Sequence, residues 1–597
     1  MRIGVDTGGT FTDVVADDGR IAKVPSTPAD PGDAVRSGAA AVLPEGEARP
    51  ESLAHGTTVA TNALLERRGG RVALVTNEGF ADVIEIARQD RPSLYDPWAD
   101  RPEPLVVRAD RLEVPGRLGP DGLEITPIDP SAVPPIPDGV DAVAVCLLHS
   151  DLNDAHERAV AAELARRGHD VSTSADVSPE FREYERTVTT VANAYLRPRC
   201  RTYLGGLEGA ADEVLVMTSA GGLAPIDRGA DLPVSLLLSG PAGGVLAAAA
   251  AASATGFADV VTFDMGGTST DVCLVQGGIP SPAGERTVGG FPIRMPSLDV
   301  HTIGAGGGSI AAVDTGGALQ VGPRSAGARP GPACYGWGGT AATVTDANLV
   351  AGHLDAEAEL PGIGRLDLAA SRRALADVGV TAEDVLTVVD AAMEEAVRAV
   401  SVARGVDPAG LALVAFGGAG PLHACAIADA LGMAAVVVPA RAGVLSALGC
   451  LAAPRQHDLV RSWPHGADLV GLDAALEAIA GEAAEALPDA DVTTAVECRY
   501  AGQSHEIRVP AVADFPEAHR QRNGYTRADD IIEVVAIRAT ARRSSPVDTA
   551  DLPPVERTSA VGPAVIAEDD CTTWVPAGWR AEVHPTSSAF VITRVER

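Results

Sequence analysis

The stretch Val5–Val15 reads VDTGGTFTDVV, and the stretch Phe263–Cys273 reads FDMGGTSTDVC. The two stretches align without a gap, so one short motif occurs twice in a chain of 597 residues. In each copy a β-rich run enters an Asp-x-Gly-Gly-Thr turn and a second run leaves it. Each copy therefore predicts a β-hairpin with a polar, glycine-rich tip, and the repetition constrains the architecture of the whole chain.

The hairpin tips have the composition of an anion site. Glycines there let backbone N–H groups approach an anion closely, because no Cβ is in the way. Asp6 and Asp264 precede the tips, and Mg²⁺ prefers oxygen ligands when it bridges phosphates. We therefore predict that these two catalytic aspartates hold Mg²⁺ directly or through water, although each could instead make an Asx-type turn bond. Asp13 and Asp271, on the second arm of each hairpin, could equally well have a functional or a purely structural role. The residues predicted to hold phosphates are Gly8, Gly9, Thr10, Gly266, Gly267 and Thr268.

A third glycine cluster follows a buried strand. Leu411–Phe416 reads LALVAF, a continuous apolar run, and Pro421 opens a helix soon after it. A strand, a glycine-rich turn and a helix N-terminus together form a place where a nucleotide can lie against bare backbone. A simple turn is the alternative, and the two upstream hairpins favour the nucleotide site. The turn consists of Gly417, Gly418, Ala419 and Gly420.

Composition excludes several classes of protein. The chain has 47 basic and 80 acidic residues, a net charge of −33, so neither nucleic acid nor a membrane surface is an expected partner. Lys23 is the one lysine, which excludes a Walker A loop and a pyridoxal enzyme. The eight cysteines include no C-x-x-C pair, and no signal peptide or long apolar segment is evident. We expect a cytoplasmic protein with reduced thiols.

Weaker candidates surround these motifs. The glycines Gly306, Gly307 and Gly308 could form an anion nest, with a flexible turn as the alternative. Asp299 and His301, two residues apart, would share a face of an extended strand and could bind a metal or act as a base, with a solvated strand face as the alternative. The residues of a further loop that could bind an anionic substrate, or simply form surface ion pairs, are Arg88, Asp90 and Arg91.

The chain resembles the A subunit of the hydantoinase/oxoprolinase family, within the superfamily of acetate and sugar kinases, heat-shock chaperones and actin. The resemblance implies an α/β fold with two actin-like, ribonuclease H-like lobes around an ATP cleft, plus a smaller β-rich C-terminal domain. The implied boundaries are 1–180, 181–465 and 466–597. The stretches that carry the resemblance are Ala54–Asp96, Ser178–Pro198, Leu236–Val245, Thr302–Ala311, Gly322–Gly336 and Phe416–Ala424.

The same resemblance implies an activity. ATP and Mg²⁺ would activate, by phosphorylation, the carbonyl of a small-molecule amide, lactam or ketone for ring-opening hydrolysis, for example of 5-oxoproline or a hydantoin. A ketone carboxylase subunit is the alternative within the family. The resemblance also implies a separate B subunit as partner in a heteromeric complex. An ATP-gated switch of the chaperone or actin kind, without a small-molecule substrate, is an alternative of another class, since fold alone does not fix function.

Overall fold

The computed structural model describes residues 1–9, 11–27, 31–357, 359–360, 363–527 and 530–595. The elements up to residue 254 are β1 (Arg2–Thr7), β2 (Phe11–Ala16), β3 (Ile21–Pro25), α1 (Pro31–Val42), β4 (Ser52–Thr57), α2 (Val59–Leu65), β5 (Val72–Asn77), α3 (Val83–Ile86), β6 (Arg111–Val114), β7 (Arg117–Leu118), β8 (Glu124–Thr126), β9 (Ala142–Val145), α4 (Ala155–Arg166), β10 (Val171–Thr173), α5 (Ser174–Val177), α6 (Glu183–Gly205), β11 (Glu213–Met217), β12 (Leu223–Pro225), α7 (Ile226–Asp231) and α8 (Ser239–Ala254).

The elements of the middle region are β13 (Val260–Met265), β14 (Thr270–Gln276), β15 (Ile279–Pro280), β16 (Pro282–Ala283), β17 (Arg286–Val288), β18 (Phe291–Ile293), β19 (Ser297–Leu298), β20 (His301–Ile303), β21 (Ser309–Val313), β22 (Leu319–Ser325), α9 (Val344–Ala351), β23 (Glu359–Leu360), β24 (Gly364–Arg365), α10 (Leu368–Val378), α11 (Ala382–Val400), β25 (Ala412–Phe416), α12 (Gly420–Leu431), β26 (Ala435–Val438) and α13 (Leu445–Ala452). The elements of the last region are β27 (Arg455–Ser462), α14 (Leu472–Ala486), β28 (Asp491–Tyr500), β29 (Ile507–Val509), α15 (Phe515–Asn523), β30 (Ile532–Arg543), β31 (Ala560–Val561), β32 (Ala564–Ala567), β33 (Thr572–Val575), β34 (Trp579–Val583) and β35 (Phe590–Arg594).

The repeated sequence motif marks a repeated topology. In one large sheet the strand order is β3-β2-β1-β4-β11, with β2 antiparallel to β1 and β3, and with β4 parallel to β1 and β11. In the other large sheet β15-β14-β13-β25-β26 follow the same order with the same strand directions. The predicted α/β fold with two lobes of one kind is therefore confirmed, and each Gly-Gly-Thr hairpin forms the first two strands of its lobe.

The strands form because their side chains can be buried. Ile3 and Val5 of β1 are fully buried in the first lobe, and β25 is buried along its whole length, as expected for a strand with both faces covered. The alanine-rich helix α8 crosses α13 at Gly243 and Gly449. A Cβ on Gly449 would lie 1.8 Å from the carbonyl oxygen of Gly243, so this crossing requires a residue without a side chain.

The last region contributes strands to both lobes. Strands β27, β30, β28 and β29 extend the first sheet beyond β12, while β35, β34 and β31 extend the second sheet beyond β26. The predicted boundaries at about residues 180 and 465 stay a prediction, and each large sheet contains strands from more than one of the predicted segments. Among the described residues, no helix combines the length and apolar character needed to cross a membrane.

Candidate functional site

Each hairpin places two aspartates side by side. Asp6 of β1 lies directly opposite Asp13 of β2, and Asp264 of β13 lies directly opposite Asp271 of β14. Residues in such positions project from the same face with Cβ atoms about 5 Å apart. Each lobe therefore presents a pair of carboxyl groups at the base of its glycine-rich tip.

The two aspartate pairs face each other. Burial raises the pKa of Asp6 to about 7, and repulsion by Asp13 and by Asp271 of the other lobe adds to this effect. Burial also raises the pKa of Asp264 well above its ordinary value, again with contributions from the neighbouring Asp271 and from Asp6 across the cleft. Because each pair acts on the other, the four carboxyl groups form one electrostatic site, and a cation would relieve their mutual repulsion.

One oxygen of this site has no partner. The Oδ1 atom of Asp6 is buried and makes no hydrogen bond to any described residue. A Cβ on Gly56 would lie 2.7 Å from this atom and a Cβ on Gly240 would lie 3.0 Å from it, so two backbone segments crowd against it. A buried polar atom without a partner in the protein requires an explanation, such as a bound water or ion. Mg²⁺, which binds one or two carboxylates and keeps several waters, fits this arrangement.

The first glycine of each tip closes its turn. The N–H of Gly8 donates to the carbonyl oxygen of Phe11 at 3.0 Å, and the N–H of Gly266 donates to that of Ser269 at 3.1 Å. These two predicted phosphate contacts therefore have backbone N–H groups that are already engaged. Their role in the structure is to set the shape of the tip.

The next residues of each tip are free to bind an anion. Gly9, Gly267 and Thr268 are exposed, and within the described chain their N–H groups donate no hydrogen bond. Thr10, also predicted to hold phosphate, lies outside the described residues. Among the described residues, the free donors are therefore the N–H group of Gly9 in the first tip and those of Gly267 and Thr268 in the second.

The third glycine turn packs directly on the second hairpin. Gly417 has φ +78°, and a Cβ there would lie 2.3 Å from Oδ1 of Asp264 and 2.6 Å from the carbonyl oxygen of Met265. Its N–H donates to the carbonyl oxygen of Ala442 at 3.0 Å. Glycine is required at this position both by the left-handed backbone and by the close approach to Asp264.

The rest of this turn leaves one open position. The N–H of Ala419 donates to the carbonyl oxygen of Met265 at 3.0 Å, and α12 begins at Gly420. Gly418 is exposed, and a Cβ there would meet nothing within 4 Å. The strand, turn and helix predicted from the sequence are thus present, and Gly418 is the position at which a ligand can reach bare backbone.

The loop of Gly306, Gly307 and Gly308 has a different role from the one predicted. The N–H of Gly307 donates to the carbonyl oxygen of Gly266 at 3.0 Å, and that of Gly308 to the carbonyl oxygen of Gly267 at 2.7 Å. The N–H of Gly306 donates to Oγ of Ser309 at 2.9 Å. All three donors of the predicted anion nest are therefore used within the chain, and two of them tie the loop to the second hairpin tip.

Two residues of the predicted anion-binding loop, Arg88 and Asp90, form ion pairs within the protein. Arg88 donates to both carboxylate oxygens of Glu185, at 2.7 and 2.5 Å. Asp90 accepts a hydrogen bond from Arg101 at 3.1 Å, and Arg91 is exposed. The charges of Arg88 and Asp90 are thus balanced within the protein, which is the alternative that the sequence left open.

The two residues of the predicted metal or base pair have different surroundings in the structure. Asp299 forms an ion pair with Arg404, and His301 is exposed on β20 opposite Val272. In the part of the chain that the structure describes, no three His, Cys, Asp or Glu side chains are grouped so that they could hold a metal ion, so Mg²⁺ in the cleft would need waters or phosphate oxygens besides one or two aspartates. Metal binding by Asp299 and His301 stays a prediction without support from this geometry.

Two residues of the site were not predicted from the sequence. The Nζ atom of Lys23 lies 2.6 Å from Oδ1 of Asp13, and Oγ of Ser446 donates to Oδ2 of Asp264 at 3.3 Å. The signal for Lys23 was available, because β2 and β3 form a meander in which Asp13 and Lys23 lie opposite each other. Ser446 gave no local signal, since α13 reaches Asp264 only through the tertiary fold.

A separate cavity lies beside the first lobe. It has a volume of about 780 Å³, and its walls include Glu180, Arg294 and the strand β27. Among the described residues, none from the hairpin tips lines it.

Two lobes of one topology, with facing aspartate pairs and three glycine turns between them, define a two-lobed α/β protein of the actin-like class. The hydantoinase/oxoprolinase N-terminal region model matches residues 2–168, and the hydantoinase/oxoprolinase model matches residues 186–458. The chain belongs to the hydantoinase/oxoprolinase family.

Individual relatives agree with this assignment. The chain is 33% identical to caprolactamase subunit alpha of Pseudomonas jessenii, over 98% of each protein. It is 35% identical to 5-oxoprolinase 1 of Arabidopsis thaliana, over 75% of this chain and 41% of that protein. The crystal structure of the ATP-dependent caprolactamase from Pseudomonas jessenii matches with a TM-score of 0.86 and 30% identity over 100% of both chains.

Proposed function

We propose that this protein uses ATP and Mg²⁺ to activate the carbonyl group of a cyclic amide for ring-opening hydrolysis. The observation that carries the proposal is the unpartnered Oδ1 of Asp6, buried between two glycines and facing a second aspartate pair across the cleft. The similarity to a protein described as an ATP-dependent caprolactamase and to a 5-oxoprolinase supports the same chemistry.

The residues have distinct roles in this proposal. Asp6 and Asp264 hold Mg²⁺ directly or through water, and the free N–H groups of Gly9, Gly267 and Thr268 bind phosphate oxygens. Bound ATP supplies the phosphoryl group that makes the amide carbon open to attack, and Mg²⁺ offsets the charge of that group. The protein contributes backbone donors that are already fixed in position, so they need no rearrangement when charge develops on the phosphoryl group.

The substrate class follows from the relatives and not from the cleft itself. A lactam or hydantoin ring is the proposed substrate, and a ketone is the alternative. The similarity to a protein named as an alpha subunit supports a second subunit as the partner that completes the reaction. This partner would shield the activated amide from water.

An ADP-release assay tests the proposal. The purified chain, alone and with the protein encoded beside it, is offered 5-oxoproline, hydantoins, caprolactam, simple ketones with bicarbonate, and an unfolded peptide. ADP release that rises with a cyclic amide and is absent in D6N supports the proposal. A response to ketone and bicarbonate alone would favour the carboxylase alternative, and a response only to an unfolded peptide would favour the ATP-gated switch. Full ring-opened product from the isolated chain, at the rate of the mixture, would remove the need for a partner.

A further inference from the structure

The one lysine of the chain lies in line with the first aspartate pair. Lys23 of β3 is directly opposite Asp13 of β2, which is directly opposite Asp6 of β1. The Nζ atom of Lys23 is 2.6 Å from Oδ1 of Asp13, and each of these two side chains is 18% exposed. Side chains in register on adjacent strands share a face, so an ammonium and two carboxyl groups form a row across the hairpin.

Lys23 also contacts the segment that precedes α13. Its Nζ donates to the carbonyl oxygen of Gly443 at 3.3 Å, and the N–H of Gly443 donates to Oδ2 of Asp570 at 2.8 Å. Gly443 lies just before α13, the helix whose Ser446 contacts Asp264. The lysine thus connects the first aspartate pair to the segment that touches the second pair.

The two hairpins differ at this position. In the second hairpin Asp271 lies opposite Thr302, which donates a hydrogen bond to it at 2.5 Å. A hydroxyl group satisfies an oxygen but brings no charge. Among the described residues, no Lys or Arg forms an ion pair with Asp271, and the charge of Arg286 acts on it only from a greater distance. The direct ion pair of the first hairpin therefore has no counterpart in the second.

The arrangement gives Lys23 a specific task. Asp13 lies directly opposite Asp6 in register, and the two carboxyl groups could hydrogen-bond to each other by sharing one proton. The pairing of Asp13 with Lys23 draws it towards β3, while Oδ1 of Asp6 stays without a partner. We propose that Lys23 is a positioning residue of the nucleotide site, which holds Asp13 away from Asp6 and so keeps the Asp6 oxygen available for the metal and the phosphates. This proposal rests on the proposed use of ATP.

The first experiment needs no nucleotide. With one lysine in the chain, acylation by an amine reagent followed by mass spectrometry reports Lys23 separately from the N-terminal amine. An ammonium that is paired and mostly buried reacts slowly. We expect D13N to raise the labelling rate of Lys23 by at least about tenfold, because an ion pair of this kind restrains a flexible lysine. Equal rates in D13N and the parent protein would overturn the pairing.

The second experiment measures binding and turnover. In K23M we expect Mg²⁺-dependent binding of a non-hydrolysable ATP analogue to weaken about tenfold and kcat to fall by about 10²-fold, the loss typical of one electrostatic contact. K23R, which retains the charge, should recover most of both, and unchanged melting temperatures would show that folding is intact. The control R20M removes an exposed charge from the same β2–β3 turn, where Arg20 pairs with Asp18.

A double mutant shows whether the lysine acts through Asp13. If it does, D13N combined with K23M should be no worse than K23M alone, since neighbours in one interaction are not additive. Additive losses, or a K23M protein that behaves like R20M, would overturn the proposal. If the parent protein does not bind the ATP analogue at all, the failure belongs to the proposed function instead.

Discussion

Arg538 and Glu180 form a buried ion pair across 358 positions of the chain. The Nη2 atom of Arg538 lies 3.0 Å from both carboxylate oxygens of Glu180, and the side chains are 6% and 1% exposed. Arg538 also donates to Glu497 at 2.7 Å, and Arg294 donates to Glu180 at 2.9 Å. This network joins the long strand β30 to the segment before α6. Buried ion pairs therefore attach the last region to the first lobe.

Removing one charge of this network should destabilise the protein strongly. E180Q leaves Arg538 and Arg294 buried without their shared carboxylate, and an uncompensated buried charge costs about 3–5 kcal/mol. Urea unfolding of E180Q and the parent protein measures the difference. The control E517Q breaks an exposed pair with Arg520 and should cost less than about 1 kcal/mol. Similar losses for the two variants would show that the network contributes no more than a surface pair.

The aspartates that end the first strand of each hairpin should be essential for turnover. D6N and D264N should each lower Mg²⁺-dependent ATP hydrolysis by about 10²–10³-fold while the fold stays intact, because each removes a charge that acts in the reaction. Circular dichroism and thermal melting check the fold, and D18N at an exposed site serves as the control. Normal turnover in either cleft variant would contradict its assignment.

Two adjacent glycines should respond differently to alanine. In G417A the new Cβ would meet Asp264 and Met265, and φ +78° is strained for alanine, so we expect a loss of stability of about 2 kcal/mol or more. In G418A the Cβ points into open space, so stability should be unchanged while nucleotide binding weakens. Thermal melting together with a binding titration separates the effects. Equal binding by G418A and the parent protein would show that no ligand approaches this position.

A buried histidine should make stability depend on acid pH. His55 is fully buried and contacts the hydroxyl group of Tyr203 at 2.7 Å, and burial lowers its pKa to about 4. Between about pH 4 and the ordinary value near 6.5, the unfolded chain therefore binds more protons than the folded one. The stability due to neutral His55 is complete above about pH 6.5 and is lost as the pH falls through 4.

The variant H55Q tests this pH dependence. It should remove a change in the free energy of unfolding of about 3 kcal/mol between pH 6.5 and 4, since one pKa unit corresponds to about 1.4 kcal/mol. The exposed His505 provides the control H505Q, for which we expect no change in slope. Denaturant unfolding at several pH values gives the slopes directly. If the free energy of unfolding of H55Q depends on pH as it does in the parent protein, groups other than His55 cause the acid sensitivity.

The cleft should close on its ligand. The four carboxyl groups repel one another across the two lobes, and Mg²⁺ with a non-hydrolysable ATP analogue would cancel that repulsion. Small-angle scattering should then give a smaller radius of gyration with the ligand than without it. An identical radius in both states would count against closure.

The parts of the fold that could be predicted are those with a local cause. The hairpins of Asp6 and Asp264 were predictable because glycines and alternating side chains stand next to each other in the sequence. The hydrogen bond from the Gly307 N–H to Gly266 and the ion pair of Arg88 with Glu185 could not be predicted. In both cases the partners are distant in sequence, and only tertiary packing brings them close. The strand β30 could be predicted as a strand, whereas its place beside β27 depends on pairing that no local pattern encodes.

The position of β27 has a consequence for synthesis on the ribosome. In the first sheet β12 is bordered by β11 on one side and by β27 on the other, through the pairing of Leu223 with Arg455. The edge of β12 therefore remains uncovered while more than 200 intervening residues are translated, on the order of ten seconds or longer at typical elongation rates. An open edge is a template for pairing with other chains. The nascent first lobe thus passes through an aggregation-prone interval that ends only when β27 emerges.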